Sequence, residues 1–434
     1  MLQAATSRVR AALLLLTMLC GGAAARGPAL AAQQPCASFA NGGKICGTYD
    51  TAQTLTKPVA QVYRGIRYAT AARWQTPTLT PVPASAAVDT TFGAACAQGG
   101  YPLKPGLSED CFFLNVWAPK NATGSSRLPV MVFIHGGAFV LGRGSSPIYN
   151  GAYLAQMDTV LVVTLNYRLG PFGFLTNNTA NIPANLGLMD QQTAMQWVRR
   201  YVGAFGGDSS RVTIFGESAG AMSVGLHMFD IPSSDSLFKA AIMESNPMGV
   251  VYRDAGTAAS DGSSFARQLC EMFHSTVYCL VSGQGWFKDN FASMPIDSIL
   301  KTDSAYQVQK SRIELGGISQ VLPWAPTVDG SFVMGQPMGG FARGRKVKPF
   351  IFGMNQDEGL LFASLAAPEI NDTTYGLLVD RFFTTDAGKV TGQVNGGYPY
   401  KAPGHASIDG MSTSASALDM LLNDLIFDCG NLAA

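Results

Sequence analysis

The pentapeptide Gly216-Glu217-Ser218-Ala219-Gly220 constrains the fold more than any other stretch of the chain. It follows an apolar run, Arg211–Phe215, that reads as a strand, and it precedes a helix-like stretch from Ala219 to Met228. A strand that turns straight into a helix brings its backbone back against itself. Glycine on each side of the turn removes the Cβ atoms that would collide there. The Ser218 hydroxyl is therefore expected above a sheet, over a helix N-terminus that favours developing negative charge. A bare G-x-S-x-G arises often by chance; the flanking strand and helix give it meaning.

The rest of the chain supplies such a sheet. Val130–His135, Thr159–Asn166, Arg211–Gly216, Lys239–Ser245 and Pro349–Gly353 are near-continuous apolar runs, the pattern of parallel strands buried on both faces. Helix-type stretches separate them. In Leu186–Val202, for example, Leu188, Met195, Val198 and Val202 mark one face, and Gly203, Gly206 and Gly207 stop the helix. Asp254–Leu322 is weaker in pattern and reads as helices and loops forming a wall beside the serine. No internal repeat or long linker is visible. The expectation is an α/β fold: one domain over residues 33–434, with a largely parallel central sheet, helices on both faces and helical insertions around the active site.

A second glycine signal is His135-Gly136-Gly137-Ala138-Phe139, directly after the strand Val130–Ile134. Consecutive glycines let backbone N–H groups point into a cleft. With the Ala219 N–H, those of Gly136 and Gly137 are candidates for an oxyanion hole, which holds the charge of a tetrahedral intermediate. Ser218 is the candidate nucleophile. Composition narrows the partners. Hydrophobic residues make up 47% of the 434, charged residues 14%, and the net charge is +1. That is a core-rich globular chain with no electrostatic footprint for nucleic acid. Small apolar or weakly polar molecules are the expected partners. No cluster has metal-ligand spacing, so neither a metal nor a cofactor is expected.

The N-terminus reads as a signal peptide over residues 1–32: Arg8 and Arg10, an apolar Ala11–Leu19, then small residues allowing cleavage after Ala25 or Ala32. No second apolar run is long enough to span a membrane, and a secreted product is expected. Cysteine usage agrees. Beyond Cys20, six cysteines fall into sequence-close pairs, Cys36 with Cys46, Cys96 with Cys111 and Cys270 with Cys279; spacing alone does not fix the pairing. Cys429 is left over. Asn121, Asn177 and Asn371 begin N-glycosylation triplets.

Beyond the two glycine motifs, the chain contains Ser108-Glu109-Asp110-Cys111, Leu114-Asn115-Val116-Trp117, Asn166-Tyr167-Arg168, Asn185-Leu186-Gly187-Leu188-Met189-Asp190-Gln191, Phe205-Gly206-Gly207-Asp208 and Asn355-Gln356-Asp357-Glu358-Gly359. Together these resemble the type-B carboxylesterases, which include cholinesterases and several lipases, across nearly all of the chain after the leader. The resemblance implies the α/β-hydrolase fold, a small-molecule carboxylic ester as substrate, and a Ser–Glu–His triad acting through an acyl-enzyme. It places Glu358 as the triad acid, just past the Pro349–Gly353 strand, with Asp357 in reserve.

The family's histidine lies beyond a segment that resembles Asp424–Cys429, where this sequence offers none. Of its four histidines, His135 precedes the serine, His227 lies in the helix behind it, His274 sits between Cys270 and Cys279, and only His405 follows Glu358. The resemblance thus implies a chain cut short of its histidine segment. Such a cut also explains Cys429, whose family partner lies further on. Without that base, turnover is expected to be nearly abolished unless His405 substitutes. Among substrates, the Ala97–Asp110 loop has Tyr101 but no tryptophan, which disfavours choline esters; short-to-medium acyl esters are the default. The alternative is a non-catalytic binding or adhesion-type protein on the same fold.

Overall fold

The computed structural model describes residues 34–50, 60–84, 87–88, 91–100, 106–313, 322, 324–337, 339, 347–356, 358–359 and 421. The chain divides into two units, Met1–Gln34 and Pro35–Ala434; the fold below belongs to the second. Residues 1–32, Tyr101, Asp357, Asn371, His405 and Cys429 lie outside the described residues.

An eight-stranded sheet organises the unit. Its strands in chain order are β1 (Thr48–Asp50), β2 (Ala60–Arg67), β3 (Phe113–Pro119), β4 (Leu128–Ile134), β5 (Leu161–Leu165), β6 (Gly207–Glu217), β7 (Ala240–Glu244) and β8 (Phe350–Gly353). In space they run β1-β2-β3-β5-β4-β6-β7-β8. The β1-β2-β3-β5 pairings are antiparallel and the β5-β4-β6-β7-β8 pairings parallel. The five apolar runs read from the sequence are thus the five parallel strands, each displaced at its ends by a few residues.

Side chains alternate along these strands between two cores, as the pleat requires. Val116, Val130, Val132, Val163, Ile214 and Met243 enter the larger core. Val62, Trp117 and Val162 enter the smaller one, on the opposite face, together with Ala152 and Ala155 of the short helix Ala152–Met157. The larger core is filled by α1 (Leu186–Tyr201) and α2 (Ala219–Phe229). Every residue of α2 is buried, so this helix is apolar on nearly every side, and its two polar side chains, Ser223 and His227, are hydrogen-bonded inside. α1 ends in a short 3-10 turn, and Gly206, at φ 95°, stops it as its sequence promised.

Two expectations are corrected. The strands are not all buried on both faces. β5 is, but β7 alternates between fully and half-buried positions, and β8 between half-buried and exposed ones, with Ile351 62% exposed. An apolar run marks a strand without fixing how well both faces are covered, because coverage comes from distant helices. The second correction is Asn177. It is fully buried; its side-chain N–H donates to Gln284 Oε1 at 3.0 Å and its oxygen accepts from the Ala180 N–H at 2.9 Å. A side chain so engaged is closed to a glycan in the folded state, whereas Asn121 is exposed.

The weakly patterned stretch after Asp254 forms three helices, α3 (Ala255–Glu271), α4 (Thr276–Asn290) and α5 (Ile296–Ile313). α3 packs along both α4 and α5. All three close cysteine pairs are disulfides: Cys36–Cys46, Cys96–Cys111 and Cys270–Cys279.

Candidate active site

Ser218 sits between β6 and α2 with φ 55° and ψ −122°, a region that L-residues rarely occupy. Its N–H donates to the Glu244 carbonyl across the β6–β7 ladder at 3.0 Å, and its own carbonyl accepts from the Met222 N–H in the first turn of α2 at 2.9 Å. The backbone is thereby anchored on both sides of the strained residue. The flanking glycines answer to packing. A Cβ on Gly216 would lie 2.6 Å from both the Gly220 backbone and the Ile134 carbonyl, and one on Gly220 would overlap that carbonyl. The helix can approach β4 this closely only without those carbons.

The second glycine turn faces the first. A Cβ on Gly136 would lie 2.6 Å from the Glu217 carbonyl and 3.2 Å from Ser218 Cβ. Three consecutive residues, Gly137 (φ 104°), Ala138 (54°) and Phe139 (60°), take left-handed backbone conformations. The N–H groups of Val140 and Leu141 close the turn on the Gly137 carbonyl at 3.0 and 3.1 Å. Its neighbours hold it. Gln98, from the Cys96–Cys111 loop, both donates to the Gly142 carbonyl and accepts from the Gly142 N–H, each at 2.9 Å. Tyr167 stacks on His135 and donates its hydroxyl to the His135 carbonyl at 2.9 Å. The structure therefore brings Gly136, Gly137, Ser218 and Ala219 to one place.

Glu358 arrives from the end of β8. Its Oε1 accepts from the Asn355 backbone N–H at 2.7 Å and from Asn355 Nδ2 at 3.2 Å; the same amide reaches Ser245 Oγ at 3.3 Å. Two further carboxylates, neither given a role in the sequence, join it. Glu217 and Glu244 are register partners at the ends of β6 and β7. Burial raises the Glu217 pKa, and the negative charges of Glu358 and Glu244 raise it further; burial also raises that of Glu244. The one available signal for Glu244 is an acidic residue closing an apolar strand. Its proximity to Glu217 depends on strand pairing and was not in the sequence.

The three described histidines have other partners or surroundings. His135 Nδ1 faces the Gly136 carbonyl at 2.9 Å; since a carbonyl only accepts, Nδ1 carries the proton. Burial lowers its pKa to about 4. His227 bridges Ser234 Oγ at 2.9 Å and Gln191 Oε1 at 3.1 Å, and burial lowers its pKa to about 3. His274 is exposed beside Tyr278 and Trp286. Several shared motifs hold the frame. Arg168 grips Asp190 through Nε, Nη2 and its backbone N–H, at 2.8, 2.8 and 3.0 Å. Glu109 and Asp110 pair with Arg73 and Arg67 beside Cys111. Among the described residues no group of three or more His, Cys, Asp or Glu side chains is placed to hold a metal ion.

A largely parallel sheet with a serine on a left-handed strand-to-helix turn, faced by a glycine turn, defines an α/β hydrolase. Residues 33–433 match the model of the carboxylesterase family, and the chain belongs to that family. It is similar to the para-nitrobenzyl esterase of Bacillus subtilis (strain 168), with 37% identity over 74% of this chain and 62% of that protein. A cholinesterase of Mus musculus is 38% identical over 64% of this chain and 44% of its own length. The bile salt-activated lipase of the same organism is 32% identical over 81% and 58%. The chain thus spans less than two thirds of each of these curated relatives. Among solved structures, a PNB esterase superposes with a TM-score of 0.71 and a thermophilic PNB esterase with 0.73. Each is 30% identical, and the pairings cover 92% and 93% of this chain and 76% of each of those chains.

Proposed function

We propose that the chain forms the body of a secreted serine carboxylic ester hydrolase, with Ser218 as nucleophile and Glu358 as the triad acid. The backbone N–H groups of Gly136, Gly137 and Ala219 receive the oxyanion. The observation that carries this reading is the approach of the Gly136 turn to Ser218, within 3.2 Å of the position a Cβ would take. That spacing suits backbone donors aimed beside a nucleophile. Ser218 attacks the ester carbonyl, alcohol leaves, and water then releases the acid from the acyl-enzyme. The relatives named as esterases and lipases support the reaction class. The three carboxylates near the serine favour neutral esters over anionic ones. Residues 1–32 act as the secretion signal and 33–434 as a single domain; the three disulfides support an oxidising destination.

The base is the open element. His135 Nδ1 and both ring nitrogens of His227 are engaged by partners other than Ser218, and His135 Nε2 is buried with no hydrogen-bond partner among the described residues, so neither is placed as the base. That same observation favours a second reading, a binding or adhesion-type protein that keeps the fold without turnover. Labelling the folded chain with a fluorophosphonate, with Ser218→Ala as control and circular dichroism on both, separates the two. Rapid labelling that the control abolishes supports the hydrolase and directs the next substitution to His405. A folded chain that stays unlabelled supports the binding protein.

A further inference from the structure

The hairpin formed by α3 and α4 combines a covalent clamp with an apolar tip. Cys270–Cys279 ties the end of α3 to the first turn of α4. Within residues 272–281 six large apolar side chains are exposed: Met272, Phe273, Val277, Tyr278, Leu280 and Val281, with Val277 at 73% and Val281 at 85%. α4 already buries Cys279, Gly283 and Phe287 on its inner side, so its outer side is apolar in excess of what the core needs. Contiguous exposed apolar surface of this kind marks an interaction site.

The composition of the tip narrows what covers it. From Cys270 to Phe287 the only carboxylate or permanently charged side chain is Glu271, so the tip offers no charge pattern for a specific protein or an anionic surface to match. Six side chains from one ten-residue segment make a patch on the scale of the largest on a soluble monomer, roughly 300–600 Å². A specific protein partner, a second copy included, needs roughly 800 Å² per side. Phe273, Trp286, His274 and Tyr278 form a chain of tilted and edge-on ring contacts, with neighbouring centroids 4.6 to 5.6 Å apart. Tyrosine and tryptophan, apolar with one polar edge, suit the boundary between an oil phase and water. The helical layer also adjoins the serine site. The Gly170 N–H donates to the Phe139 carbonyl of the oxyanion turn at 2.7 Å, and a Cβ on Gly170 would lie 3.6 Å from Asp303 Oδ2 on α5.

We propose that the α3–α4 tip docks on the surface of an uncharged, water-insoluble ester phase, so that the Ser218 site draws on aggregated ester. This rests on the ester-hydrolase reading and names the substrate's physical state. The protein supplies its own reporter: of its five tryptophans, Trp74, Trp117, Trp197 and Trp324 are fully buried, while Trp286 lies half-buried at the tip. Vesicles of brominated phosphatidylcholine, which quench tryptophan on contact, are added to the full chain carrying Ser218→Ala, so that no hydrolysis disturbs the surface. Quenching is expected, unchanged by salt and lost in Trp286→Phe. Replacing Val277, Leu280 and Val281 by serine, all on the exposed side, is expected to weaken the vesicle affinity by about tenfold or more, with circular dichroism unchanged. Absence of quenching, equal affinity in the triple variant, or loss of quenching with salt overturns the proposal. So does a dimer in sedimentation that the triple variant dissolves, which assigns the tip to a second copy. Quenching needs no turnover, so its failure and a failure of fluorophosphonate labelling are read independently.

Discussion

Ser218 occupies a backbone region that costs an L-residue on the order of 1–3 kcal/mol. The hydrogen bonds of its N–H to Glu244 and of its carbonyl to Met222 hold it there. The glycines around it have sharper duties than flexibility. Gly136→Ala places a methyl group 2.6 Å from the Glu217 carbonyl and 3.2 Å from Ser218 Cβ, which forces the turn away from Ser218. Its expected effect is a fall of roughly 10²–10³ in the rate of fluorophosphonate labelling or ester turnover, the cost of one displaced oxyanion donor, in a protein that still folds by circular dichroism. An unchanged rate removes the Gly136 N–H from the proposed hole. Ser218, Gly136 and Gly137 were legible as candidates because each sits in a short motif whose local geometry is self-contained, whereas Glu358 came from the resemblance to the family. Glu217 was in view only as the variable position of that motif, and Glu244 not at all. Their shared environment exists only through the pairing of β6 with β7.

Among the elements, the α3–α4 hairpin is tied by a covalent bond at its tip. Cys270 and Cys279 are separated by nine positions, and closing a loop of that length restricts the unfolded chain by about 2.5–3 kcal/mol. The double substitution Cys270→Ser, Cys279→Ser is expected to lower stability to urea by up to that amount. It is also expected to expose the hairpin to protease before the sheet. Cleavage starting elsewhere, with an unaltered midpoint, shows that packing of Phe287 and its neighbours suffices. These helices were faint in the sequence because their apolar residues lie on both the inner and the outer side, which blurs the three-to-four periodicity. The parallel strands were plain for the opposite reason: short near-continuous apolar runs between helix-type stretches have few other uses in a soluble fold.

For the molecule as a whole, pH acts through buried groups, one of them beside the glycine turn that faces Ser218. Burial lowers His135 to about 4 and His227 to about 3, both below the ordinary value of about 6.5. Each therefore contributes stability that is complete above that value and lost as the pH falls towards the lowered one. Asp303, beside Trp324 Nε1 and Gln307, is raised by burial to about 6. Its contribution has the opposite sign, present below about pH 4 and lost as the pH rises to 6. Glu217, Glu244 and Asp190, also raised by burial, act in the same sense as Asp303, and the two histidines act against them. The two signs separate when one histidine is removed and urea titrations are run at pH 5 and pH 7. In His227→Gln the slope between the two should fall by up to about 1.4 kcal/mol per pH unit, the value for one proton. A slope that does not change places the acid sensitivity in other groups.

The sequence by itself determined the parallel core of the sheet, the serine turn, the glycine turn opposite it and the family, because each depends on a few consecutive residues and their immediate stereochemistry. It also singled out the three disulfides as near neighbours, since short loops limit the choices. Only the tertiary structure decided that Asn177 is buried against α4, that Arg168 and Asp190 form one buried pair, and that three carboxylates gather at the ends of β6, β7 and β8. Those facts depend on which surfaces meet across long stretches of chain. Burial and local charge, unlike a turn, belong to the assembled fold.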